Sequence, residues 1–182
     1  MPSAELVLRG ARVVDPVEET AWLATLGEPV ARIESDARRM LDAERFRHRY
    51  PAAHKKWTAA ETLLWQDSGP DVSRIGRLCR EAMQAFAATL VQRFTPADTS
   101  AMRGDSVQRI SAVIDQHQAR IGGERRRLLD ALLAYWVALA DVVQRQERGA
   151  NIHAESTTWE DARSIVFQTL VTFTELDRSL PA

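Results

Sequence analysis

Residues 71–94 read DVSRIGRLCREAMQAFAATLVQRF, and this stretch decides the fold class. Its apolar residues recur every three or four positions, as they do on one face of an α-helix. They are Ile75, Leu78, Cys79, Ala82, Met83, Phe86 and Leu90. The stretch therefore predicts an amphipathic helix that packs one continuous face into a core.

The same periodicity on both sides of this stretch predicts further helices joined by short loops. Their bounds are about Pro51–Trp65, Ser106–Ile121, Glu124–Arg148 and, after a cap at Thr157 or Thr158, a last helix to Leu180. We expect an all-α bundle of about five to six helices.

The N-terminal part differs from this bundle. Residues 1–14 predict a short strand pair or an extended arm, whereas Asp15 and Pro16 mark the start of a long helix. That helix should run to about Phe46, with a break or kink at residues 27–29. We therefore predict an N-terminal arm and helix at residues 1–48 and a helical bundle at residues 49–182.

Two predicted helices carry more apolar residues than a single face needs. The run from Leu128 to Val143 is apolar nearly all round, which predicts that the fifth helix is the most buried one and lies at the centre. Ile165, Phe167 and Val171 lie off the main face of the last helix and indicate contact either with a partner or with neighbouring helices. That main face consists of Ala162, Val166, Leu170, Phe173, Leu176 and Leu180.

The composition limits the class of protein. The 182 residues are 45% hydrophobic and carry a net charge of −1, which allows a substantial core but gives no global attraction to nucleic acid or membranes. The single cysteine, Cys79, excludes an intrachain disulfide and a cysteine-based zinc site. No run approaches the ~18 apolar residues of a membrane helix, and the N-terminus lacks a signal pattern. We expect a cytoplasmic protein.

Residues 148–153, Arg-Gly-Ala-Asn-Ile-His, offer the clearest chemistry in the chain. Arg148 has a permanent charge and His153 titrates near neutral pH, which is a minimal set for cutting RNA without a metal ion. Both should lie between two helix ends, where the N-terminus of the last helix adds partial positive charge. Arg145 stands about one turn earlier, and Asn151 offers a donor and an acceptor. Arg148 and His153 are therefore candidate catalytic residues, and Arg145 and Asn151 are candidate substrate-binding residues.

Spacing alone does not single out this pair. Three cases of Arg followed by His after four to six residues occur, which is near the number expected by chance. Arg49 and His54 form another case, but they straddle a proline and resemble a solvated basic corner. The plain alternative for the C-terminal pair is that Arg148 caps helix carbonyls and His153 is a solvated loop residue.

The C-terminal stretch resembles the end of HEPN domains (higher eukaryotes and prokaryotes nucleotide-binding). Those α-bundles carry an Arg, four to six residues and a His before a last helix that is acidic at its start. Here the motif is Arg148 to His153, and the last helix begins Trp159-Glu-Asp-Ala. Residues 56–64 and 75–82 resemble the opening helical pair, so the similarity spans about residues 50–180. Gly149 departs from the pattern, because many members have a polar residue after the Arg.

The resemblance implies a metal-independent endoribonuclease that acts in toxin–antitoxin pairs or anti-phage defence. In such enzymes two copies of the motif form one composite cleft across a homodimer. The implied partners are RNA, a second copy of the chain, and a cognate antitoxin or defence complex. The departure at Gly149 also fits an inactive module that binds a partner protein, a nucleotide or RNA. A dimeric regulatory bundle outside this family is a third interpretation.

Other residues are weaker candidates for a site. Arg74, Arg77 and Arg80 form a basic stripe that is either a solvated face or a surface for RNA. No His and carboxylate set has metal-ligand spacing, and no glycine-rich loop is placed to hold phosphate. The sequence therefore predicts neither a metal site nor a cofactor.

Overall fold

The computed structural model describes residues 32, 35–39, 44–66, 71–95, 104–147 and 159–180. Every regular element with defined bounds in these ranges is an α-helix, which confirms the predicted all-α bundle. The helices are α1 (Glu44–Arg49), α2 (Pro51–Leu64), α3 (Val72–Phe94), α4 (Ser106–Gln116), α5 (Gln118–Ile121), α6 (Gly123–Glu147) and α7 (Trp159–Ser179).

The contacts divide the chain into two compact units, Met1–Asp36 and Ala37–Ala182, and α1 to α7 all belong to the second unit. The predicted arm at residues 1–14 and the helix start at Pro16 lie outside the described residues. The predicted helix end at Phe46 is wrong, because α1 continues to Arg49 before Pro51 starts α2. The division after residue 48 stays a prediction.

Local signals explain where the helices begin and end. The side chain of Asp71 accepts a hydrogen bond from the Arg74 amide and caps α3, and Asp105 forms a capping box with Gln108 at α4. The predicted helix Ser106–Ile121 is divided at His117, where the backbone leaves helical geometry. The next helix begins one residue earlier than predicted, at Gly123.

The most buried helix is α7, so the prediction that the fifth helix is the central one is wrong. This helix packs against α2, α3 and α6, and its predicted core face is confirmed. Thr169, Thr172 and Thr174 are buried there because each hydroxyl donates to the carbonyl four residues earlier. In α6, by contrast, the apolar run is exposed on one side. Ala131, Ala134 and Ala138 are exposed at little cost because their side chains are small, but Leu128, Tyr135 and Val142 are exposed as well.

The core joins the first and last helices of the bundle. Phe46, Phe86 and Phe173 stack with centroid distances of 4.4 to 6.2 Å, and they connect α1, α3 and α7. The indole Nε1 of Trp57 donates to the Val166 carbonyl at 3.0 Å and ties α2 to α7. The bundle therefore holds α7 from several sides, which fixes the position of its N-terminus.

Candidate functional site

Helices α6 and α7 pack antiparallel. Arg125, near the start of α6, donates to Glu175 near the end of α7 at 2.6 Å, whereas Trp136 in the middle of α6 donates to Thr169 at 2.9 Å. Because early residues of α6 meet late residues of α7, the last turn of α6 and the first turn of α7 lie at the same end of the bundle. The segment 148–158, which carries the Arg–His motif, begins and ends there.

Three of the predicted site residues, Arg148, Asn151 and His153, lie outside the described residues. Arg145 belongs to α6, and only its backbone is described. The convergence of Arg148 and His153 in one pocket therefore stays a prediction. The structure does describe the two helix ends that flank the motif.

Both of these helix ends are held by close contacts. The Trp159 ring at the start of α7 packs edge-on against Trp65 at 5.7 Å, and its Nε1 donates to the Leu64 carbonyl at 3.4 Å. Near the end of α6, Val143 lies very close to Gly76 of α3. A Cβ atom added to Gly76 would be 2.1 Å from Cγ1 of Val143. The flanks of the motif are therefore part of the packed bundle.

The three arginines of the predicted basic stripe of α3 lie in different surroundings. Arg74 is exposed, whereas Arg77 lies 3.9 Å from the Glu81 carboxylate, a contact typical of a solvated helix face. Arg80 is half-buried and faces a cavity. A continuous RNA surface along this stripe is therefore less favoured than a local role for Arg80.

The cavity lies between α3, α6 and the start of α4 and has a volume of about 240 Å³. The indole of Trp136 is almost fully buried and forms an apolar part of its wall. Gln144, at one edge of the cavity, stands four residues before Arg148, so the cavity adjoins the end of the bundle that carries the motif. Its polar lining residues are Arg80, Gln84, Asp105, Ser106, Asp141 and Gln144.

Sequence reasoning missed this cavity. Arg80 was recognised only as a member of a stripe, because the sequence does not show that α4 begins beside it. A weak signal exists in α6, where Asp141 lies within the apolar run and Gln144 directly follows it, and both residues line the cavity beside α3. Helical periodicity could locate that polar edge, but tertiary packing was needed to close it into a cavity.

A second surface feature lies along α6. Leu128, Tyr135 and Val142 recur every seven residues and are 43%, 53% and 38% exposed. This apolar stripe follows one side of the helix over about 21 Å, at 1.5 Å per residue. On α7, Ile165 is buried in the core, so this residue contacts neighbouring helices and not a partner, while Phe167 and Val171 are half-buried.

A comparison of the chain with models of known protein families gives no match, and searches among curated proteins and solved structures give none either. Within the described ranges, no helix is both long and apolar enough to cross a membrane. The same part of the chain places no three His, Cys, Asp or Glu side chains together in a way that would hold a metal ion.

Proposed function

We propose that the chain is a metal-independent endoribonuclease of the HEPN type, acting in toxin–antitoxin or anti-phage defence. One observation carries this proposal beyond the sequence motif: the antiparallel pairing of α6 and α7 fixes both ends of the 148–158 segment at one end of the bundle. The eleven residues between these helix ends include Arg148 and His153, and we propose that they meet there. Such a junction suits a cleft that is open to a polymer.

The proposed reaction is an internal transfer at phosphorus. His153 accepts the proton of the RNA 2′-hydroxyl, and the 2′-oxygen attacks the adjacent phosphorus. The bond from phosphorus to the 5′-oxygen breaks, and the histidine of a second copy donates a proton to that oxygen. Arg148 binds the phosphate and offsets the charge that develops on its oxygens, with Arg145 and Asn151 binding the substrate. The products are a 2′,3′-cyclic phosphate and a 5′-hydroxyl.

The apolar stripe of α6 supports the homodimer that a composite cleft needs. In the proposed dimer, the two copies meet along Leu128, Tyr135 and Val142 with their α6 helices parallel, so that both motifs lie at one edge of the assembly. An antiparallel pairing centred on Tyr135 would place the two Glu147 backbones roughly 36 Å apart and would separate the motifs. The stripe therefore gives the dimer hypothesis a testable geometry.

The activity is tested with the double substitution Arg148→Ala and His153→Ala. We expect the wild-type chain to cut single-stranded RNA in the presence of EDTA and the double variant to lose this cleavage while its thermal unfolding is unchanged. The matched control, Arg45→Ala with His48→Ala, removes the same two residue types from exposed positions on α1 and should retain cleavage. If wild type and double variant cut equally, the site is wrong; if neither cuts RNA, the inactive binding module is favoured.

The dimer is tested by disulfide cross-linking. A parallel dimer predicts that both Val142→Cys and Tyr135→Cys form cross-linked dimers under oxidising conditions. An antiparallel dimer would cross-link Tyr135→Cys alone, and a monomeric chain would cross-link neither. The native Cys79 should not interfere, because burial raises the pKa of its thiol to about 12 and it is inaccessible.

A further inference from the structure

We infer that the exposed face of α6 also pairs two copies of the chain in the antiparallel direction, and that this pairing is a resting dimer that keeps the two Arg–His motifs apart. The seam of this face recurs at intervals of three and four residues, as in a two-helix coiled coil. It consists of the exposed residues Leu128, Ala131, Tyr135, Ala138 and Val142. The resting role rests on the proposed ribonuclease function, whereas the antiparallel pairing itself does not.

Large and small side chains alternate along the seam, and the antiparallel direction matches them. When Leu128 packs on the partner's Ala138, Tyr135 packs on the partner's Ala131, so the central layers each join one large side chain and one alanine. A parallel pairing instead places each seam residue against its own copy. Its tyrosine and leucine layers would hold the helices apart at the alanine layers and leave voids there, which close packing disfavours.

Two charged residues favour the same direction. Arg127 and Asp141 lie on one side of the seam, because they are two heptads apart and each directly precedes a seam residue. Both are exposed, and no ion pair within the described ranges involves either of them. In the antiparallel register, Arg127 lies beside the partner's Asp141, and the same pair recurs at the other end by symmetry. A parallel pairing separates these opposite charges by about 21 Å along the axis.

The antiparallel direction has a consequence for the motifs. It places the two Glu147 backbones roughly 42 Å apart and therefore separates the segments that follow them. Because both directions bury the same seam, a chain in the resting dimer is excluded from the parallel dimer proposed for cleavage. RNA that engages two motifs at once binds only the parallel dimer and shifts the population toward it. The substrate thereby promotes assembly of the cleft that cuts it.

Disulfide cross-linking between differently tagged chains tests the direction. Chains with Leu128→Cys are mixed with chains with Ala138→Cys and oxidised, and we expect the heterodimer as the main product because the antiparallel register places these two positions in one layer. A parallel pair holds them about 15 Å apart along the axis, beyond the ~7 Å between Cα atoms that a disulfide spans. Homodimers as the main product, or no cross-linked product, would overturn the inference.

Charge reversal tests the pairing without added cysteines. Arg127→Asp and Asp141→Arg each replace two attractions by two repulsions, so each should raise the dimer dissociation constant about tenfold in sedimentation equilibrium. The double variant restores opposite charges and should lie within about twofold of the wild type. Arg74→Asp makes the same change at an exposed position of α3 and should have no effect. A double variant that dimerises as weakly as the single variants would contradict the antiparallel register.

The resting role is tested by RNA cleavage. Arg127→Asp should raise the cleavage rate per chain, because it frees the seam for the parallel dimer, and an unchanged or lower rate would overturn the resting role. The two proposals fail separately. If the heterodimer forms and the wild type cuts no RNA, the antiparallel dimer stands and the nuclease hypothesis fails. If RNA is cut and the heterodimer is absent, only the resting dimer fails.

Discussion

Substituting Gly76 by alanine tests the close packing that holds the end of α6 against α3. Alanine normally stabilises a helix interior by about 0.5–1 kcal/mol over glycine. At this position the new Cβ would lie 2.1 Å from Cγ1 and 3.2 Å from Cβ of Val143. Rotation of the valine moves the first atom but not the second, so the two helices must separate.

The structure predicts a net loss of stability. Overpacking of a core costs about 1–3 kcal/mol, which exceeds the gain in helix propensity, so we expect Gly76→Ala to lower the free energy of unfolding by about 1–2 kcal/mol. With a urea m-value of roughly 2 kcal/mol/M, the unfolding midpoint should fall by about 0.5–1 M. Urea unfolding followed by far-ultraviolet circular dichroism measures this shift.

Two further variants make the test specific. At Gly123 an added Cβ would meet no atom within 4 Å beyond its chain neighbours and its own helix backbone, so Gly123→Ala should be neutral or stabilising by up to about 1 kcal/mol. Val143→Ala alone should lower the free energy of unfolding by about 2 kcal/mol. In the Val143→Ala background, Gly76→Ala should cost much less than in the wild type, and the difference between the two costs should be about 1 kcal/mol or more. The close approach of α3 and α6 is wrong if Gly76→Ala changes stability as little as Gly123→Ala does. It is also wrong if the effects of Gly76→Ala and Val143→Ala are additive.

Three more predictions concern the bundle. Trp57→Phe should lower the free energy of unfolding, measured in urea, by about 2–4 kcal/mol, because it leaves the Val166 carbonyl of α7 without its donor and opens a cavity. A cost below about 1 kcal/mol would contradict the hydrogen bond from Trp57 to Val166. Arg49→Ala should cost about 3 kcal/mol, because the largely buried Asp177 loses the guanidinium that donates to it at 2.5 Å. Asp177→Asn should cost less. Equal unfolding midpoints for the wild type and both variants would show that this ion pair does not stabilise the fold. The hydrogen bond from Lys56 holds the pKa of Glu81 below its ordinary value of 4.5. The pair therefore stabilises the fold above pH 4.5, and this stabilisation is lost as the pH falls through the lowered pKa. Glu81→Gln should therefore lower the free energy of unfolding at pH 7 but not at pH 2. The loss should be less than about 1 kcal/mol, because the side chains of Lys56 and Glu81 are both partly exposed. An equal effect at both pH values would contradict a stabilising ion pair between them.

The sequence predicted the helices well where one apolar face was clear. The face of α3 and the main face of α7 are both buried as their periodicity indicates. Sequence reasoning failed where it equated apolar composition with burial. The threonines of α7 are buried because local hydrogen bonds satisfy their hydroxyls, and the apolar run of α6 remains partly exposed. Periodicity identifies a face, but it does not show how many neighbours surround a helix.

The candidate site was predictable only in part. A motif of an Arg and a His indicates a reaction, and the predicted helices on either side of it correspond to α6 and α7. The cavity beside it depends on the start of α4 meeting the middle of α3, which is a contact between residues about 25 positions apart. No local pattern encodes such a contact. Only the packing of three helices therefore brings Arg80 and Asp141 to one cavity.

The ends left on cut RNA test the central claim most directly. We predict that RNA cleaved by the wild-type chain in EDTA carries a 2′,3′-cyclic phosphate and a 5′-hydroxyl, and that one 2′-deoxynucleotide before the scissile bond prevents the cut. Fragments with 3′-hydroxyl and 5′-phosphate ends, or cutting that ignores the missing 2′-hydroxyl, would contradict a mechanism in which His153 activates that hydroxyl and Arg148 holds the phosphate.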